Sequence, residues 1–117
     1  MKIIHQTSLS RGNPDNVVEF DETLNDHIWV RIYWWLLTRD IDLAVENGSR
    51  IYATLHHTDL PYPSIPNFIS FDNVSDRDLL RWIHETEGTN SILEKQRQNL
   101  AGFLRKYNAI DEWKGTI

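Results

Sequence analysis

Ile28-Trp29-Val30-Arg31-Ile32-Tyr33-Trp34-Trp35-Leu36-Leu37 decides the fold, because three of the five tryptophans and only one charged side chain fall within these ten residues. β-Branched and aromatic residues in succession favour an extended strand. The alternative, one helix from Asp26 to Asn47 closed by Gly48, would need apolar positions every three to four residues, and these do not recur that way. A strand that is apolar at odd and even positions alike has two faces to cover. Simple alternation puts Trp29, Tyr33 and Trp35 on one face, and Ile28, Val30, Ile32, Trp34 and Leu36 on the other.

Outward from this stretch the pattern predicts a β-meander over 28–57, with strands at 28–38, 40–45 and 50–57 and a turn at Asn47-Gly48. A two-residue turn would split the apolar residues of its flanking strands between faces. A three-residue loop, Glu46-Asn47-Gly48, pairs Val45 with Ser49 and gathers Ile41, Leu43, Val45, Ile51, Ala53 and Leu55 on one face. Upstream, 1–27 holds the turn-rich Ser8-Leu9-Ser10-Arg11-Gly12-Asn13-Pro14-Asp15 and reads as an arm or a pair of edge strands, lying on its own domain or on a neighbouring subunit.

Downstream, 58–73 is a connector stiffened by Pro61, Pro63 and Pro66. It reads as a plain linker or as a partner-docking loop carrying Tyr62. Two helices follow over 74–108. Ser75 as N-cap, Asp78 three residues on, and Val74 with Leu79 as a hydrophobic staple start the first, which Gly88 ends. Ser91 with Glu94 repeats the spacing for the second, whose stripe is Ile92, Leu93, Gln96, Leu100, Phe103, Leu104 and Tyr107. Trp82 is expected to anchor helix to sheet, so that Trp82→Ala costs at least about 3 kcal/mol. Residues 109–117 read as a tail carrying Trp113. The expected architecture is a single α+β domain: an antiparallel meander of three to four strands packed against two C-terminal helices, with an N-terminal arm.

The hairpin after a tryptophan-bearing strand, followed by Phe71-Asp72-Asn73-Val74-Ser75-Asp76-Arg77-Asp78-Leu79-Leu80-Arg81-Trp82-Ile83, resembles small bacteriophage proteins encoded near tail and virion genes, over residues 34–105. The resemblance implies a phage-encoded structural or assembly accessory, in the virion or the host cytoplasm, and carries over no catalytic residue.

The 117 residues contain no cysteine, which removes disulfides, thiolate nucleophiles and Cys-ligated zinc. A formal charge of −5, with scattered basic residues, argues against a nucleic-acid partner. The apolar stretch is too short to span a membrane, and Met1-Lys2-Ile3-Ile4-His5-Gln6 is too short in apolar residues for a signal peptide. His56-His57-Thr58-Asp59 is the best candidate for metal or acid–base chemistry, yet neighbouring strand residues point to opposite faces. The other reading packs one histidine under the proline connector and leaves the other in solvent. His84 lacks a second histidine at helical spacing, and no serine sits in a glycine-flanked elbow.

No catalytic, cofactor or metal residue is therefore expected. The surplus of apolar surface points instead to a protein partner, either a second copy in a homo-oligomer or a larger virion protein, with Trp29, Trp35, Tyr62 and Trp113 as anchors. The competing expectation is an acidic inhibitor or immunity protein that neutralises a basic toxin or nuclease through Glu19, Asp21, Glu22, Asp40 and Asp42.

Overall fold

The computed structural model of the chain describes residues 2–43 and 50–115, without the side chains of 43 and 108–115. The decisive stretch lies inside a 15-residue strand, β3 (Asp26–Asp40), on which the other strands hang. Along one side runs β4 (Arg50–Asp59), antiparallel, with Asp40 opposite Arg50 and Arg31 opposite Asp59. Along the other side two shorter strands lie end to end: β1 (Ile3–Leu9) beside the second half of β3 and β2 (Val17–Asp21) beside the first. The N-terminal segment is thus a pair of edge strands seated on its own domain.

The strand expected at 40–45 is absent where the chain is described, since β3 ends at Asp40 and Ile41–Leu43 form a 3-10 turn. Asp40 is the cause. Its buried carboxylate accepts from the Asp42 and Lys2 backbone N–H groups, and an aspartate that bonds its own chain two residues on turns it. β2, β3 and β4 therefore make the meander, with β1 added beside β3. The Glu46-Asn47-Gly48 loop and the Val45–Ser49 pair lie outside the described residues.

Two helices cover one face. α1 (Asp76–Glu87) starts at the expected capping box: Ser75 Oγ accepts from the Asp78 N–H, and the Asp78 carboxylate accepts from the Ser75 N–H. Gly88, at φ +80°, ends it. α2 (Thr89–Gly115) begins at once, earlier than the Ser91 cap predicts, with the Ile92 N–H donating to the Gly88 carbonyl. Ser91 sits in the first turn and its hydroxyl donates to Glu87. The helix also runs through most of the stretch read as a tail.

The core joins Ile32, Trp34 and Leu36 of β3 to Leu79 and Ile83 of α1 and Ile92 of α2. From Ile32 to Asp40, even positions of β3 are at most 2 % exposed and odd ones only partly buried. The alternation fails below Ile32. Val17 lies opposite Arg31 but Val18 opposite Trp29, so β3 carries one residue more than its partner, a bulge at Val30. An extra residue flips the faces of what precedes it. Trp29 accordingly packs against the helix-side core and stacks on Phe71, ring centroids 5.5 Å apart. It does not share a face with Tyr33 and Trp35, as unbroken alternation predicts.

Candidate functional site

Three places in this fold hold residues with chemistry to offer. The first is a polar seam between the sheet and α2. Buried Thr58 accepts from the Trp34 indole N–H at 2.9 Å and donates to Glu87 Oε1 at 2.7 Å. Glu87 also receives the Ser91 hydroxyl at 3.0 Å and lies 3.4 Å from Lys95 Nζ. Burial pushes the Glu87 pKa up, but these hydrogen bonds and the Lys95 charge outweigh it and hold the carboxyl below its ordinary value.

Further along, Asn99 of α2 is buried against the sheet. Its Nδ2 donates to the Leu36 and Tyr52 carbonyls and to Thr38 Oγ1, and its Oδ1 accepts from Thr54 Oγ1. His5 Nδ1 pairs with Thr38 at 2.8 Å, and His56 Nε2 with Thr54 at 2.7 Å. Burial depresses the pKa of both histidines, and for His56 the nearby Lys95 charge adds to the depression. The seam is thus a set of matched donors and acceptors that locks α2 in register on the sheet.

The strand places His56 and His57 on opposite faces. His56 stacks on Trp34 with centroids 4.8 Å apart, under α2 rather than under the proline connector, while exposed His57 lies beside Tyr33. Neither can join the other on one ion. No group of three or more His, Asp or Glu among the described residues is placed to hold a metal.

The second place is the face of the sheet away from the helices. Tyr33, Trp35 and Leu37 run down its centre. Cross-strand partners share their face: Leu55 beside Trp35 and Ala53 beside Leu37 from β4, Ser8 and Gln6 from β1, and Ile4 and Ile51 flanking Arg39. Leu55 is 41 % exposed. At one end Arg31 binds Asp59, which holds that carboxyl below its ordinary range. An antiparallel sheet covered on one side normally turns polar residues to water on the other. This one turns a tryptophan, a tyrosine and several aliphatic residues.

The third place is a cavity of about 300 Å³ between the start of β3, the connector and α1. Trp29, Tyr62, Phe68 and Trp82 line it, with Glu85 as the one charged side chain in its wall. The Tyr62 hydroxyl donates to Asp21 at 3.1 Å, which ties the connector to the β2 end of the sheet.

The four anchors expected from sequence thus do not form one surface. Trp29 and Tyr62 meet at the cavity, Trp35 lies on the helix-free face, and the side chain of Trp113 falls outside the described residues. The acidic residues of the competing expectation divide as well. Asp21 pairs with Asp26 at one end of β3, and Asp40 lies at the other end, roughly 45 Å away at the usual rise per strand residue, buried and bonded to backbone. Asn99, the hub of the seam, was not singled out by sequence, although its spacing of seven from Ile92 and four from Phe103 marks the inward stripe.

No helix among the described residues is long and apolar enough to cross a membrane. Comparison with protein-family models, curated proteins and solved structures returns no match.

Proposed function

We propose that this chain is a non-enzymatic contact protein that self-associates through the helix-free face of its sheet. The observation that carries the reading is the helix-free centre of that face, where half-buried Tyr33, Trp35 and Leu37 lie beside exposed Leu55, rimmed by polar Gln6, Ser8, His57 and the Arg31–Asp59 pair. An apolar centre with a polar rim is the anatomy of an interface, and tryptophan and tyrosine are the side chains that supply most binding energy there. Two such sheets stacked face to face would bury both tryptophans at the usual sheet spacing of about 10 Å.

The place of action, a bacteriophage virion or its assembly, follows the resemblance over residues 34–105 and is the finer part of the proposal. Copurification of the chain with phage particles tests that part. Light scattering tests the self-association: the intact chain elutes as a dimer or higher oligomer, and Trp35→Lys elutes as a folded monomer. A chain that is monomeric at high micromolar concentration, or an oligomer untouched by Trp35→Lys, overturns the reading.

A further inference from the structure

The cavity at the connector is separate from the open sheet face, and its lining combines aromatic side chains with one carboxylate. Four aromatic side chains, those of Trp29, Tyr62, Phe68 and Trp82, line it, a residue type whose ring faces attract positive charge, and Glu85 is the one charged residue of the lining. No basic side chain lines it. The volume of about 300 Å³ is at the small end of ligand sites.

Parts of the wall are held in place without a ligand. Trp29 is stacked on Phe71, Tyr62 is tethered to Asp21, and prolines precede and follow Tyr62. Fixed walls spare a ligand the cost of ordering them.

We propose that this cavity binds an alkylated ammonium cation. A bare ammonium entering it would give up water with one carboxylate to replace it, and Glu85 already lies 3.6 Å from Arg81. A methylated ammonium keeps the charge, has fewer N–H groups to satisfy, and offers methyl groups to the rings. A neutral ligand of the same shape gains nothing from either the rings' quadrupoles or Glu85. The cation has two possible sources, a free small molecule or a methylated lysine on a partner protein, and they share this chemistry.

Titration of the full chain with choline, followed by tryptophan fluorescence and calorimetry, tests the proposal against the neutral isostere in which carbon replaces the quaternary nitrogen. Choline binds, and the isostere binds about tenfold more weakly. Tyr62→Ala removes one exposed ring and weakens choline about tenfold, and Glu85→Gln weakens it about threefold. Both side chains are exposed, so the variants keep the circular dichroism of the parent. Titration with a trimethyl-lysine peptide separates the sources: tighter binding than choline assigns a protein partner, and equal or weaker binding a free ligand. Equal binding of choline and its isostere, or no response to either choline or the peptide, overturns the proposal. The readout is independent of oligomeric state, so its failure is distinct from failure of the sheet-face reading.

Discussion

At the scale of single residues the seam under α2 has the highest stakes, because each buried donor or acceptor in it is matched and loses its partner together with its neighbour. Asn99→Leu keeps the branched shape at a larger volume but strips partners from the Thr38 and Thr54 hydroxyls and from the Leu36 and Tyr52 carbonyls. The expected loss is about 3 kcal/mol in urea unfolding; a loss below about 1 kcal/mol would mean that water replaces the amide. The same seam makes stability depend on pH through His5 and His56. Both have folded-state pKa values below the ordinary 6.5, so the unfolded chain takes up protons that the folded one refuses. Their contribution is complete above pH 6.5 and is lost as pH falls below it. Carboxylates such as Glu87, also depressed, act lower, under their ordinary 4.5. The charges acting on His56 are Lys95, Glu87 and, from the opposite face of the strand, neighbouring His57; Lys95 and His57 oppose its protonation and Glu87 favours it. Denaturation midpoints measured between pH 7.5 and pH 5 should fall on acidification, and less steeply in His56→Gln; an equal slope in the variant would assign the effect elsewhere.

At the scale of elements, what is local was legible and what depends on a neighbour was not. The start of α1 is written within four residues, Ser75 to Asp78, and the structure forms that cap. Ser75→Ala should cost about 1 kcal/mol by thermal or urea unfolding. The same spacing at Ser91 misleads, because Gly88 already provides the break and the first turn of α2 closes onto it. Leu93, counted in the inward stripe, is half exposed, and Asn99 takes a buried position instead. Gly102 shows why the helix can lie so close: a Cβ there would stand 2.5 Å from the Tyr52 ring. In a free helix Gly→Ala gains about 1 kcal/mol. Here the displaced ring costs about 1–3 kcal/mol, so Gly102→Ala should be neutral to destabilising, and a clear gain in melting temperature would place α2 further from the sheet. Trp82 is less central than its size suggests, since it lines the cavity at the edge of the core while Leu79 and Ile83 fill the centre. Its replacement by alanine should cost less than the roughly 3–5 kcal/mol of a fully buried tryptophan.

At the scale of the whole molecule the two faces of the sheet decide behaviour. One is closed by helices, and the other carries a half-buried aromatic and aliphatic strip beside exposed Leu55. The proposed association through that strip would be driven by apolar burial, so the oligomer should persist as salt is raised from low to physiological concentration and beyond, whereas association through surface ion pairs would weaken. Light scattering across a salt series distinguishes the two, and dissociation at high salt would count against the sheet face. The sequence by itself determined the fold class, the dominant strand, both helices and the opposite facing of His56 and His57, and left the first segment open between an arm and edge strands. These rest on alternation, capping and breakers, each complete within a few neighbouring residues. Only the tertiary structure decided that Asp40 ends β3, that the bulge at Val30 turns Trp29 away from Trp35, and that Asn99 joins helix to sheet. A turned carboxylate, an extra residue and a buried amide take their meaning from the strand or helix opposite, and that partner is set by packing across distant parts of the chain.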